Sequence, residues 1–196
     1  MRRSAPAGAE DTAYAGALRC LARRDRSEAE VRRILLRRGH DDAEVDEAVT
    51  RLRAGHLLDD ARFAERFARS RLANYGLGRG RIRQALRQKG VGRAEADAGI
   101  TAALREVGEG EVLDGLARRY WRQHVRLAPR RRLPHLWVFL LRRGFGPGLV
   151  RERLAALWPR WTDALAGLEP LEPEGQEPDE TGTHEASSPE PPSRAW

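Results

Sequence analysis

The 196-residue chain carries 36 Lys and Arg side chains against 29 Asp and Glu, and only 6% of its residues are aromatic. A chain rich in Ala, Leu, Arg and Glu favours helix over sheet, so the composition predicts an all-α protein. A single cysteine, Cys20, excludes an internal disulfide framework, and the longest apolar run, 136–141, is too short to cross a bilayer. We therefore expect a soluble, cytoplasmic protein without membrane contact.

The net charge of +7 is unevenly distributed along the chain. Residues 169–196 contain eight carboxylates and Arg194, a balance of −7, so residues 1–168 carry +14. A body this basic attracts polyanions, most often nucleic acid or an acidic protein surface. The alternative, a solvated surface that reflects codon bias, explains the choice of Arg over Lys but not the excess of positive charge.

The first part of the chain predicts three helices after a polar, disordered lead at residues 1–12. The first helix starts at Ala13, and its apolar face is predicted to consist of Tyr14, Ala17, Leu18 and Leu21. Ser27 and Glu30 have the spacing of a capping box, which predicts a second helix that ends at Gly39. The second helix and a third, over residues 43–54, are expected to bury Val31, Ile34, Leu35, Val45, Val49 and Leu52.

The stretch 57–90 predicts two helices joined by a glycine-rich turn. Asp59 is a natural N-cap for the first of them, on which Phe63 and Phe67 lie four residues apart on an apolar face. The second helix, over residues 79–89, has its apolar side chains opposite its basic ones. Gly90 follows it where a C-terminal cap glycine belongs.

The same pattern recurs around three glycines, Gly39, Gly90 and Gly144, which are 51 and 54 residues apart. Eight and four residues before these glycines lie apolar pairs: Val31 and Leu35, Ile82 and Leu86, and Leu136 and Leu140. Six, ten and thirteen residues after them lie apolar triplets: Val45, Val49 and Leu52, then Ala96, Ile100 and Ala103, then Val150, Leu154 and Leu157. The repeat predicts an elongated array of three three-helix blocks, at residues 13–58, 59–107 and 108–161. Chance periodicity in an Ala-, Leu- and Arg-rich chain is the alternative.

The third block is predicted to open with a helix over residues 111–123 that has Val112, Leu116 and Tyr120 in step. Its middle helix is predicted to begin near Pro134, because proline is tolerated in a first helical turn, where no N–H is needed. Residues 162–196 are rich in Pro and Glu and have little to bury, so we expect a disordered acidic tail.

No group of residues in the sequence indicates catalysis or metal binding. The five histidines form no spaced cluster with Cys or acidic residues, and Cys20 has no evident helper that would activate its thiol. His56 lies near Asp59 and Asp60, where helix capping explains the acids better than acid–base chemistry does. The glycines of residues 76–80 lack the strand and the Gly-Lys-Ser/Thr of a phosphate-binding loop. We predict a protein that is not an enzyme, with no catalytic residue, metal or cofactor.

Basic residues on predicted exposed faces and at block junctions carry the functional signal. The candidate contact residues are Arg71, Arg79, Arg81, Arg83, Arg87, Lys89, Arg118, Arg119, Arg122, Arg130, Arg131, Arg142 and Arg143, and Arg132 extends the run at 130–131. Such residues could bind phosphates without sequence preference. They could equally pair with carboxylates on a protein partner, and the residues alone do not separate the two.

The central phrase LDDARFAERF at residues 58–67, followed by Ser70-Arg71, Gly78 and LRQKG at 86–90, closely resembles the RecX family of RecA regulators. Residues 21–28, 36–39 and 141–145 fit the same family, and the resemblance covers about residues 13–157. The third block departs from the pattern in its RRRLP run at 130–134 and its longer turn.

The resemblance implies a modular helical protein that lies in the groove of the RecA–single-stranded DNA filament. It implies restraint of filament growth, ATP hydrolysis, strand exchange and cleavage of the repressor that controls the DNA-damage (SOS) response. The implied partners of the monomer are the RecA filament and single-stranded DNA, with double-stranded DNA as a further candidate. Residues interpreted as structural are Asp59, Asp60, Phe63, Phe67, Gly39, Gly90 and Gly144; within the central match, Arg71, Arg83, Arg87 and Lys89 are the better contact candidates.

Two other classes of function stay open on the residues alone. One is an autonomous DNA- or RNA-binding protein, which would bind naked nucleic acid tightly and with strong salt dependence. The other is a helical scaffold for an acidic protein partner that involves no nucleic acid.

Overall fold

The computed structural model describes residues 12–159, which form α-helices and contain no β-strand. The nine helices of this range are α1 (Ala13–Arg23), α2 (Glu28–Arg37), α3 (Asp42–Ala54), α4 (Asp60–Tyr75), α5 (Arg79–Gln88), α6 (Arg93–Glu106), α7 (Glu109–Gln123), α8 (Pro129–Arg142) and α9 (Pro147–Leu157). The predicted all-α array is confirmed. None of these helices combines the length and the apolar character needed to span a membrane. The acidic tail and residues 1–11 of the lead lie outside the described residues, and Thr12, assigned to the lead, is the N-cap of α1.

Local sequence signals set the helix ends. The capping box of Ser27 and Glu30 is present at the start of α2, and the Asp59 carboxylate accepts from the Arg62 N–H at the start of α4. The turns after α2, α5 and α8 each contain a glycine in the left-handed region, with φ of 92° at Gly39, 78° at Gly90 and 87° at Gly144. L-residues with a side chain rarely adopt this conformation, so the repeated glycine has a backbone cause.

Each consecutive set of three helices encloses its own apolar cluster, and the first and third helices of a set pack most extensively against each other. We call these sets the first, second and third blocks. The repeated apolar positions predicted around the three glycines are all buried, apart from Leu157, which is half-buried. Each block therefore folds around the residues that the repeat identified.

The buried faces of α1 and α7 differ from those predicted. In α1 the buried residues are Ala13, Gly16, Ala17 and Cys20, while Leu18 is 37% exposed. In α7 the buried apolar residues are Leu113 and Ala117, and the predicted Val112, Leu116 and Tyr120 pack only at the edge of the cluster. In α1 small residues take the buried positions, whereas in α7 the large Leu113 is fully buried beside Ala117. The first and third helices pack most extensively in the second block, where small residues face each other. In the second block, a Cβ added at Gly99 would lie 2.6 Å from that of Ala64.

The start of α8 was also predicted wrongly. The helix begins at Pro129, and Pro134 lies inside it. Pro129 occupies the first-turn position that was assigned to Pro134, since its missing N–H has no role there. The extra turn also buries Arg132, which is 6% exposed and donates from its guanidinium to the carbonyl groups of Trp121, Val125 and Leu127. Arg132 is therefore a structural residue that closes the loop between α7 and α8, and not part of a cationic surface.

Neighbouring blocks are joined in the same way at both boundaries. The N-terminus of the middle helix in one block contacts the next block at two places. One is the glycine turn that follows the middle helix of the next block, and the other is the first residue of the first helix of the next block. We call the contact between α2 and the second block the first joint, and the contact between α5 and the third block the second joint. At the second joint the backbones approach so closely that a Cβ on Gly78 would lie 2.5 Å from the Gly144 carbonyl.

Candidate partner interface

The second joint uses two of the predicted contact residues. The Glu109 carboxylate accepts from the backbone N–H of Arg79 at 2.9 Å and from its guanidinium Nε at 2.9 Å and Nη2 at 2.7 Å. Arg143 donates from Nη1 to the Tyr75 carbonyl at 2.6 Å, and its own carbonyl accepts from the Gly78 N–H at 2.8 Å. Arg79 and Arg143 therefore bind the second and third blocks to each other.

The first joint uses a third predicted contact residue, Lys89. Its ammonium lies 3.1 Å from the Glu30 carboxylate, and its carbonyl accepts from the Ser27 hydroxyl at 2.6 Å. Burial alone would raise the pKa of Glu30, but hydrogen bonds from Lys89, the Ser27 N–H and Arg24 together lower that pKa below its ordinary value of 4.5. The carboxylate is thus held ionised between two blocks.

Asp60 takes the place in the first joint that Glu109 takes in the second. Its carboxylate accepts from the Glu28 N–H at 2.8 Å, at the N-terminus of α2. Burial raises the pKa of Asp60, and the nearby carboxylates of Glu28, Glu95 and Asp59 act in the same direction. The hydrogen bond explains why an acid follows directly after the capping Asp59.

Three further candidates in the second block have partners within that block. Arg71 lies 4.9 Å from the ring centroid of Phe67 and 4.5 Å from that of Tyr75. Arg83 pairs with Asp97 at 2.7 Å, and Arg81 donates to Gln84 at 3.2 Å. These three side chains remain partly or largely exposed, so a partner could still reach them.

The seven remaining candidates are exposed arginines: Arg87, Arg118, Arg119, Arg122, Arg130, Arg131 and Arg142. None of the seven forms a salt bridge within residues 12–159. Six of them belong to the third block, three on α7 and three on α8. Arg126, in the loop between these helices, is also exposed and was missed by the sequence analysis, because it stands apart from any basic run.

Positive charge increases from block to block. Residues 12–58 contain ten arginines and eight carboxylates, a balance of +2; residues 59–107 contain eleven basic and six acidic residues, a balance of +5. Residues 108–159 contain eleven arginines and four carboxylates, a balance of +7. The second joint brings part of this charge together, because it places Arg79 and Arg81 of α5 against the turn of Arg143 and Gly144, which directly follows Arg142 at the end of α8. The cationic surface is therefore strongest on the third block.

The second joint also holds an exposed aromatic residue that the sequence analysis did not select. Tyr75 is 55% exposed at the end of α4, with Arg71 on its ring and Arg143 on its carbonyl. An exposed ring beside cations is a feature of surfaces that bind single-stranded nucleic acid. Its position directly before Gly76 is the signal that could have identified it.

The residues interpreted as structural lie in the core or at block ends. Phe63 is buried in the apolar cluster of the second block, and its ring stacks on the half-buried Phe67 at a centroid distance of 5.9 Å. Gly90 lies against Ala29 of the first block, so a Cβ there would meet that of Ala29 at 2.3 Å. In residues 12–159, no three His, Cys, Asp or Glu side chains are placed to hold a metal ion.

Comparison with known proteins identifies the family. The profile of the first three-helix domain of RecX matches residues 13–52, and the profile of its second three-helix domain matches residues 59–100. A regulatory protein RecX from Halorhodospira halophila is 41% identical over 145 residues, which cover 71% of this chain and 84% of that protein. One from Pseudomonas fluorescens is 35% identical over 141 residues, covering 71% of this chain and 87% of that protein.

Solved structures agree with this assignment. The crystal structure of RecX from Lactobacillus salivarius superposes with a TM-score of 0.69, at 21% sequence identity, and covers 74% of this chain and 94% of that chain. A second, a crystal structure of regulatory protein RecX, superposes with a TM-score of 0.66 at 28% identity, over 72% of this chain and 71% of the other. The first likeness shows the shared fold, and the relatives in sequence show the family. The chain therefore belongs to the RecX family of regulatory proteins.

Proposed function

We propose that this chain binds the filament that RecA forms on single-stranded DNA and restrains its growth, its ATPase, strand exchange and the repressor cleavage of the SOS response. It acts in the cytoplasm, as a monomer and without a cofactor. The observation that carries the proposal is the set of seven exposed, unpaired arginines on the described second and third blocks, in a chain whose relatives are named regulatory proteins.

The joints support a filament as the partner. A helical filament presents a long, regularly spaced surface of protein and DNA, and a linear array of similar blocks can contact it at several points. The first joint fixes Lys89 through Glu30, and the second fixes Arg79 through Glu109, so the blocks keep one relative orientation. Contacts spread over fixed blocks lose less entropy on binding than contacts made by independently moving ones.

Charge alone supports the second candidate, autonomous binding to nucleic acid, and the two can be separated by experiment. The filament is assembled on a labelled oligonucleotide with a slowly hydrolysed ATP analogue, and the binding of this protein to it is compared with binding to the same oligonucleotide without RecA. The proposal predicts a lower Kd for the filament. An equal or higher Kd on the filament would favour a nonspecific nucleic-acid-binding protein.

A pair of matched variants tests which surface of the protein contacts the single-stranded DNA of the filament, from the salt dependence of filament binding. The first replaces three unpaired arginines of α7: Arg118→Ala, Arg119→Ala and Arg122→Ala. The control replaces three exposed arginines of the first block that also lack a salt bridge in residues 12–159: Arg23→Ala, Arg33→Ala and Arg37→Ala. Removing one arginine that binds a phosphate lowers the slope of log K against log salt by about 0.7 on a single strand, so removing three changes it by about 2. We expect the change in the first variant and not in the control.

A further inference from the structure

The described third block and the segment that follows it have equal and opposite net charges. Residues 108–159 carry +7, while residues 160–196 contain two arginines and nine carboxylates, a balance of −7. We propose that the acidic segment binds the arginine surface of the third block in the same chain and competes there with a polyanionic partner. The competition rests on the proposed function, but the intramolecular contact does not.

The six exposed candidate arginines of α7 and α8 form no salt bridge within residues 12–159. Of its four carboxylates, Glu109 is occupied by Arg79 of the second block, and Asp114 is occupied by Arg153. Only Glu111 and Glu152 are left to offset the exposed arginines, and neither forms a salt bridge within the described range. The first block differs, since Glu28, Glu30, Asp46 and other acids there pair with neighbouring arginines and Lys89.

The acidic segment begins where it can reach this surface. Pro159, the last described residue, closely follows α9, which packs against α7 in the third block. The 37 residues beyond it could span about 120 Å if fully extended. By comparison, the 15-residue α7 is about 22 Å long. Chain length therefore sets no obstacle to contact with any arginine of this block.

The sequence of the segment suits a multivalent contact. Six of its carboxylates fall within twelve residues: Glu169, Glu172, Glu174, Glu177, Asp179 and Glu180. One exposed Arg–carboxylate pair contributes little in water, but a tethered group of them acts at an effective concentration of about 1 mM. The phosphates of a nucleic acid are more closely spaced than the carboxylates of the segment, so a nucleic acid can displace the segment. The segment then raises the concentration of nucleic acid needed to occupy the arginine surface.

The contact is tested without nucleic acid. The full-length chain is prepared with the six carboxylates neutralised, Glu to Gln and Asp to Asn, and is titrated into a fluorescent peptide of residues 169–196. We expect saturable one-to-one binding that weakens as salt is added. The Arg118→Ala, Arg119→Ala and Arg122→Ala replacements should abolish peptide binding, whereas the control at Arg23, Arg33 and Arg37 should retain it.

The consequence for binding is measured on an oligothymidine. If the tethered segment has a dissociation constant of about 0.1 mM for the surface, neutralising it should tighten oligothymidine binding about 10-fold at low salt. The gain should shrink towards one-fold in the α7 variant and persist in the control. An equal gain in the α7 variant and in the control would show an effect of net charge only and would overturn the proposal. Failure of the peptide to bind either the segment-neutralised chain or its first-block control would also overturn it. Peptide binding as expected, in a chain that leaves RecA unaffected, would instead reject the proposed function and retain this inference.

Discussion

The second joint gives the sharpest test of how the blocks are coupled. Glu109 is 5% exposed in its side chain, whereas its partner Arg79 is 53% exposed. Arg79→Ala leaves a buried carboxylate with one backbone N–H as its hydrogen-bond donor in this joint. Breaking a fully buried pair costs about 3–5 kcal/mol, and the exposure of Arg79 screens this one, so we expect a loss of about 2 kcal/mol.

The reverse substitution should cost less. Glu109→Gln removes the buried charge, keeps one acceptor for the α5 N-terminus, and leaves an arginine that water can solvate. We expect a loss of about 1 kcal/mol. The double variant, Arg79→Ala with Glu109→Gln, leaves no buried charge without a partner. Its loss of unfolding free energy should therefore be smaller than the sum of the two single losses, by a coupling energy of about 1.5 kcal/mol.

Two optical signals report on different parts of the chain during urea unfolding. All five tryptophans lie at position 121 or later, so their fluorescence reports on the third block and the segment after it, while far-UV circular dichroism reports on every helix. In the wild type, coupling through the joint should make the two transitions coincide. In Arg79→Ala they should separate. Coincident transitions in the variant, or a coupling energy near zero, would refute the role we give this joint.

Three other substitutions have defined outcomes. Phe63→Ala should lower the free energy of unfolding by about 3–5 kcal/mol, because the ring is buried in the second block. Leu57→Ala, at an exposed side chain, is the control. Equally small losses in the two variants would contradict the burial of Phe63. Glu30→Gln should destabilise the protein at neutral pH. The pKa of Glu30 is lower in the folded than in the unfolded chain, so its carboxylate stabilises the fold at pH values above the unfolded-state pKa. In thermal melts that difference should fade as the pH falls below 4.5, the ordinary pKa of Glu, and through the lowered pKa of Glu30, and a constant difference would exclude the ion pair. Arg83→Ala with Arg87→Ala should leave helicity and melting unchanged but raise the Kd for the filament, and loss of fold would refute the exposed placement of the two side chains.

Features set by neighbouring residues in the chain could be predicted from the sequence. The capping box at Ser27, the N-cap at Asp59 and the glycine turns at Gly39, Gly90 and Gly144 each depend on a backbone requirement within a few residues. The repeated spacing of apolar residues then indicated the three-helix blocks.

Features set by contacts between distant residues could not be predicted in this way. The periodicity of α1 and α7 is satisfied by two adjacent faces, and contacts with the other helices of the block decide which face is buried. The start of α8 has two prolines that could serve, and only the burial of Arg132 distinguishes them. The partners of Arg79 and Lys89 lie 30 and 59 residues away in the chain, so a basic run could not show which of its members hold blocks together.

The central claim is that this chain recognises the RecA filament. The most direct measurement is the rate of RecA-catalysed ATP hydrolysis on single-stranded DNA as the protein is titrated in, with its binding to naked DNA measured in the same buffer. The account predicts inhibition at concentrations well below those that saturate free DNA. Inhibition that begins only once the DNA is coated, or no inhibition at stoichiometric amounts, would contradict it.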